Sequence, residues 1–277
     1  MRAGLSLRTP LLYVGLVVTV LLSAGPLYFM LVMASRANDE IVSLPPPLTL
    51  GENLFANLDA VFDNPDVLFG QALVNSVLVA SIATVCVVVT SSLAGFAFAK
   101  LKFRGRNALL LFVIGTMMVP VQLGLIPLYM LMTKLGLSGG LESVTLPFVV
   151  AGFGVFMMRQ FAEQAIPDEM IEAARVDGAS TVRIFFSIVF PALRPAAAVL
   201  GLLTFMERWN DFLWPYLTLD AEHPTVQVAL SRLSSGYYDD QSLIMAGTFI
   251  GTLPLVVVFI VFGRQIIGGI MEGGLKA

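Results

Sequence analysis

One cysteine and one histidine occur among 277 residues, and these scarcities exclude several kinds of chemistry. Cys86 alone cannot form an internal disulfide or a cysteine-based zinc site, and it lies inside an apolar run as a small buried side chain. His223 alone cannot build a histidine-rich metal site. No lysine directly follows a glycine, so the Gly-x-x-x-x-Gly-Lys phosphate loop is missing and the chain does not hold ATP by that device. His-Glu-x-x-His is missing as well. Charge is the next scarcity: Asp, Glu, Lys and Arg make up 13% of the chain, against about 25% in a soluble domain. In their place, 57% of the residues are hydrophobic and the mean hydropathy is +0.86. Such a chain has too little polar surface to cover itself in water, so its solvent is lipid.

A hydrocarbon layer of about 30 Å takes roughly 20 mainly apolar residues as a helix. Six segments qualify, at about 11–33, 71–99, 108–132, 141–158, 195–216 and 243–262. The first closes on Val32-Met33-Ala34, which fits a signal-peptidase site, but its apolar run is too long for an ordinary signal peptide and is read as a retained span. Lys and Arg alternate between loops. Arg2 and Arg8, then Lys100, Lys102, Arg104 and Arg106, then Arg159, Arg175, Arg183 and Arg194, then Arg264 and Lys276 mark one side. The other loops hold only Arg36, Lys134 and Arg232 and carry many acids, Asp63 and Asp239 among them. The basic side is cytoplasmic by the positive-inside rule. The fold expected is therefore all-α and integral to the membrane: one domain over 1–277, six transmembrane helices and both termini in the cytoplasm. In the third span Gly115, Pro120, Gly124 and Pro127 mark a packed kink or a flexed pathway helix, and the kink is preferred. The 13 methionines are read as helix packing rather than a soft pathway lining.

The loop 159–194 is long for a link between two spans and reads as two short helices. Pro167 suits a first helical turn, and Asp168 and Glu169 complement its dipole. Gly178 supplies a positive-φ stop, and Ser180 an N-cap for the second helix. That helix sets Val182, Phe185, Phe186 and Val189 on one stripe, and Pro191 disfavours its simple continuation. A helix–Gly–helix element with alanines on one face suits close docking of a partner, and equally suits a helix pair lying on lipid headgroups. The stretch 136–140 fits Gly-x-Ser-x-Gly by letter, but it lies between apolar helical runs and is read as a turn. Glu207, Arg208, Asn210 and Asp211 form a second polar group. Glu207 and Asp211 lie 12 and 16 residues beyond Pro195, hence about 18–24 Å up the helix. Charges at that depth face a cavity or partner, or form an interfacial cluster beside Trp209, Trp214 and Tyr216.

Glu172-Ala173-Ala174, then Asp177-Gly178-Ala179, then Ile188, Pro191 and Pro195 resemble the EAA loop of ABC importer permeases. Trp209-Asn210-Asp211-Phe212-Leu213-Trp214-Pro215 is similar to the fifth-span motif of the carbohydrate-type members. Asn75-Ser76 and the Gly-rich end at 273–277 extend the likeness over nearly the whole chain. The resemblance is nearest to the smaller permease subunit of maltose-type, binding-protein-dependent importers. Phe190 replaces the leucine usual before Pro191, and the tail ends in Ala277 rather than glycine.

The resemblance implies an ABC importer permease fold with a cytoplasmic coupling loop, in a multi-pass protein of the bacterial cytoplasmic membrane. It implies that Glu172, Ala173, Ala174, Asp177, Gly178 and Ala179 dock on an ATPase subunit, with Glu172 as the anionic anchor. A second homologous permease, an ATPase dimer, an extracytoplasmic solute-binding protein and membrane lipid are the partners implied, and no nucleic acid. The cofactors are ATP and Mg on the ATPase and none on this chain, which is a transport subunit and no enzyme. The resemblance further implies that it moves a di- or oligosaccharide by alternating access. The alternatives are a permease for glycerol phosphate or an amino acid and, from another class, an intramembrane enzyme. Gly236, Tyr237, Tyr238 and Asp239 stand where the maltose-type permease reaches its binding protein; a solvated turn is the other reading of them.

Overall fold

A computed structural model describes the backbone over 8–234 and 240–274, and the side chains over 12–234 and 240–263. In chain order the helices are α1 (Arg8–Ala34), α2 (Asn38–Ile41), α3 (Leu54–Phe62), α4 (Phe69–Lys100), α5 (Arg106–Met117), α6 (Leu125–Lys134), α7 (Leu141–Thr145), α8 (Gly152–Ala165), α9 (Asp168–Val176), α10 (Thr181–Ile184), α11 (Phe190–Trp209), α12 (Leu213–Thr218), α13 (Val226–Leu233) and α14 (Gln241–Gly274). Among the described residues no strand forms, and one isolated backbone bridge pairs Gly139 with Leu219. Contacts divide the chain into two compact units, residues 1–69 with 229–253, and residues 70–228 with 254–277.

In the first unit α1 is long enough to cross a bilayer and holds no charge from Leu12 to Ala34, so its largely uncovered apolar side chains face lipid. Its last carbonyls need partners, as at any helix end. Asn57 of α3 donates to Ala34 O and Arg36 O, each at 2.9 Å. Arg36 donates in turn to Thr49 O at 2.8 Å and pairs with Glu40 at 2.9 Å, which fixes the extended segment beyond the helix.

The second unit is built on small residues at helix crossings. A Cβ on Gly95 of α4 would stand 2.7 Å from Met158 Cβ and from Arg159 N of α8. Gly154 of α8 likewise leaves room for the Ser91 hydroxyl. Below these crossings Phe96, Met158, Ala162, Ile166, Ile171, Ile184, Phe185, Val189 and Leu193 form one buried core. The expected span 141–158 lies within one candidate span, Leu141–Ala165, made of α7 and α8 with a 3-10 turn at Leu146–Phe148 between them. Thr90 of α4 donates to Val149 O at 3.1 Å where the ladder lapses.

The segment expected at 108–132 bends by 92° between Arg106–Met117 and Val121–Lys134. Pro120 brings this about by its extended φ of −58° and ψ of 128°. The fifth span differs at both ends from 195–216. Thr181–Trp209 runs as one apolar helix, so the second loop helix continues into the span. It passes Pro191 by widening: over Phe185–Val189 the chain makes a π-turn, and the Phe190 N–H reaches back to Phe185 O. That wider turn gives the proline ring the space an α-turn would deny it. At the far end Asn210 donates to Met206 O at 2.8 Å, and Asp211 accepts from the Trp214 N–H, so the helix stops at Trp209 and restarts as α12.

Candidate functional site

The loop 159–194 folds against the unit that carries it. After α8 the chain turns at Ile166 and Pro167 and enters α9 with Asp168 and Glu169 in its first turn and Arg175 in its last. The helix ends in a Schellman arrangement. The Ala179 N–H reaches Ala174 O at 2.9 Å, the Gly178 N–H reaches Arg175 O at 3.0 Å, and Gly178 adopts φ +76°. Nothing lies within 4 Å of a Cβ built on Gly178, so backbone conformation, not crowding, demands glycine there. Ser180 then accepts from the Arg183 N–H at 3.3 Å and starts α10.

Burial sorts these residues. Ile171 on α9 and Ile184 on α10 are buried in the core, and Ala174 and Ala179 pack against it. Glu169, Glu172, Ala173 and Val176, at i, i+3, i+4 and i+7, form the opposite, exposed face of α9, and Val176 is 88% exposed. Asp177 and Gly178 extend that surface. The stripe expected on the second helix is split: Phe185 and Val189 are buried, whereas Val182 and Phe186 are 67% and 64% exposed. The π-turn causes this, because each residue in it rotates less about the axis than in an α-helix.

Beneath α9 lies a polar cleft of about 680 Å³, lined by Lys100, Lys102, Arg106, Glu163, Asp168, Glu172 and Arg175. Across it Lys100 Nζ meets Asp168 Oδ1 at 2.7 Å. The hydrogen bond from Lys100 and its charge, with Lys102 behind, outweigh slight desolvation and hold the Asp168 carboxyl below the ordinary aspartate value of 3.8. This pair was not legible in sequence. A lysine ending one helix and an aspartate opening another are each favourable locally, but 68 residues separate them.

The second polar group lies at the far end of α11. Arg208, with a side chain only 10% exposed, pairs with Glu207 and with Asp211 at 3.2 Å, and covers the Phe148 ring 4.0 Å from its centroid. Phe148 stands edge-on to buried Trp214, whose indole N–H donates to Ser143 O at 3.0 Å. Arg208 and Asp211 thus turn into the protein, while Glu207 and Asn210 remain exposed. Asn75 and Ser76 are buried and tie α4 to the loop before α13, by Asn75 Nδ2 to Pro224 O at 2.9 Å and the Val226 N–H to Ser76 Oγ at 2.8 Å. Gly236, Tyr237, Tyr238 and Asp239 lie outside the described residues. Among the described residues no three His, Cys, Asp or Glu side chains group as a metal site.

Comparison with known proteins gives one answer. The family described as binding-protein-dependent transport system inner membrane component matches residues 87–267. The arabinooligosaccharides transport system permease protein AraQ of Halalkalibacterium halodurans is 36% identical over 203 residues, 73% of this chain and 72% of its own. The lactose transport system permease protein LacG of Rhizobium radiobacter is 34% identical over 256 residues, 92% of each chain. The sn-glycerol-3-phosphate transport system permease protein UgpE of Yersinia enterocolitica is 31% identical over 94% of this chain and 95% of its own. A chain of the crystal structure of a bacterial ABC transporter importing the acidic polysaccharide alginate superposes with a TM-score of 0.79 at 22% identity, covering 96% of this chain and 99% of that one.

Proposed function

The chain belongs to the family of binding-protein-dependent transport system inner membrane components, and from that membership we propose that it is the permease subunit of an ATP-driven importer of a di- or oligosaccharide. It is a multi-pass protein of the bacterial inner membrane. The observation that carries the mechanism is the exposed face of α9, with Glu172, Ala173 and Val176 beside Gly178 on a buried base. Such a face suits a protein partner, because small side chains admit a close approach and Glu172 offers one anionic anchor for a charge-assisted contact. The partner is an ATPase subunit, which binds ATP and Mg. Its closure moves α9, and the membrane helices pass between inward- and outward-facing states. A second permease and a solute-binding protein complete the assembly.

Two kinds of relative favour different solutes, since AraQ and LacG are sugar permeases by name and UgpE a glycerol-phosphate permease. The charge balance of the outer group favours the sugar. Arg208 is neutralised by Glu207 and Asp211, which suits a neutral polyhydroxyl solute and repels a phosphate dianion. The test is uptake of radiolabelled lactose, an arabinooligosaccharide and glycerol 3-phosphate by cells expressing the whole transporter. Uptake of an oligosaccharide or disaccharide is the expected result. Uptake of glycerol 3-phosphate alone would overturn the sugar assignment.

A further inference from the structure

α4 has fixed points at both ends. Near one end, Asn75 and Ser76 hold the backbone at Pro224 and Val226. At the other, Gly95 brings its backbone against Met158 and Arg159 of α8, and Lys100, its last residue, meets the first residue of α9. Between these points α4 is continuous over 32 residues, about 48 Å at 1.5 Å per residue. The Lys100–Asp168 contact is placed where both helices reinforce it. Lys100 lies among the free carbonyls ending α4, and Asp168 among the free N–H groups opening α9. The Lys100 side chain is 7% exposed and that of Asp168 76%, so the pair sits at the mouth of the cleft with its cation on the covered side. Ile171, three residues after Asp168 on α9, is buried in the core beside this junction.

We propose that Lys100 and Asp168 are a positioning pair, which fastens α9 to α4 so that displacement of the docking face is carried along α4 to the loop at Pro224–Val226. The inference rests on the transport reading above. Its content is mechanical: a shift of α9 relative to α4 strains this pair, which biases α4 to move with it. Asp168 is itself exposed, its side chain 76% accessible, and it stands on α9 between buried Ile171 and the outer residues Glu172 and Val176. One short helix thereby meets the end of the transmembrane rod at its first residue and presents its partner surface alongside.

The experiment uses the assembled transporter in proteoliposomes, with Cys86→Ala and a single reporter, Glu222→Cys, in the exposed loop that follows Asp220. Thiol labelling of the reporter is timed without nucleotide and after trapping with ATP and vanadate, in the parent and with Lys100→Gln, Lys100→Arg, Asp168→Asn or the charge exchange Lys100→Asp with Asp168→Lys. Copurified ATPase and its hydrolysis rate are measured alongside. The parent should change labelling rate on trapping. Lys100→Gln and Asp168→Asn should keep the ATPase bound and hydrolysing while the change shrinks about two- to fivefold, the range for loss of one ion pair. Lys100→Arg and the exchange should restore most of it. An undiminished change in Lys100→Gln and Asp168→Asn overturns the proposal, as does a parent that recruits ATPase without any change. Loss of bound ATPase in Asp168→Asn also overturns it, since Asp168 would then be part of the docking face. A parent chain that recruits no ATPase removes the transport reading, and the positioning pair with it.

Discussion

Gly178 and Glu172 lie on one small exposed surface but serve it in different ways, one through the backbone and one through charge. At φ +76° an L side chain costs about 1–2 kcal/mol through its own backbone, and a β-branched one resists that conformation most. Gly178→Asn should therefore keep transport, Gly178→Ala should weaken it, and Gly178→Val should lose copurified ATPase at matched membrane abundance. Wild-type recruitment by the valine variant would show that this turn is not needed for docking. Glu172 is exposed and has no fold-supporting role, so Glu172→Ala should alter the chain's own stability by no more than about 0.5 kcal/mol. Leaving a partner's cation unpaired costs about 2–5 kcal/mol at an interface, so ATPase recruitment should fall by an order of magnitude or more. Asp168 adds a statement about pH. Its carboxyl titrates below 3.8, the ordinary value, so its contribution is present above that value and is lost only as pH falls through the depressed one. Labelling of Ala174→Cys, taken relative to a fully exposed cysteine at the same pH so that thiol ionisation cancels, should stay flat between about pH 5 and 8 and rise only in stronger acid, and Asp168→Asn should remove that rise. A transition near neutrality would show that Asp168 does not set the accessibility of this position.

The helices themselves were largely legible, because apolar length and the stop signals Gly178 and Ser180 are local properties. The departures arise where two elements meet. The sequence places Val182, Phe185, Phe186 and Val189 on one stripe only if the turn is α-helical. Pro191 forces a π-turn, and the stripe divides between core and surface. The pairings of Lys100 with Asp168 and of Arg208 with the Phe148 ring were hidden for a related reason, since nothing in a linear pattern reports which distant ends abut. The outer polar group was visible as costly charge, but not the division that turns Arg208 and Asp211 inward and leaves Glu207 outside. The π-turn is open to test by cysteine scanning. Val182→Cys and Phe186→Cys should label and Phe185→Cys and Val189→Cys should not. Adding Pro191→Ala should allow an α-turn and exchange part of that pattern. An identical pattern with and without the proline would show that Pro191 does not set the register.

Six crossings depend on the bent segment, which could span the membrane or enter and leave from one side. The second unit decides between these. α5 begins at Arg106, whose guanidinium donates to Leu101 O just beyond Lys100, the residue paired with Asp168. α6 ends at Lys134, and buried Met132 in it groups with Val79, Val144 and Trp214. From there the chain reaches Gly139, whose N–H donates to Thr218 O at 2.8 Å and whose O accepts from the Asp220 N–H at 3.1 Å. Val79 lies near the start of α4, 21 residues from Lys100 by numbering, about 32 Å along the helix. Arg106 and Lys134 therefore stand toward opposite ends of α4, a placement that favours one broken span for the pair with its 92° bend. With the alternation of basic and acidic loops, an even number of crossings is the basis for expecting both termini in the cytoplasm. In intact cells carrying Cys86→Ala, an impermeant thiol reagent should modify Asp63→Cys, Lys134→Cys and Glu222→Cys from outside. Arg104→Cys and Arg175→Cys should react only after permeabilisation. Protection of Lys134→Cys together with Arg104→Cys would make the segment re-entrant, reduce the crossings to five and place the two termini on opposite sides, an arrangement in which the basic residues before α1 and after α14 could not share a compartment.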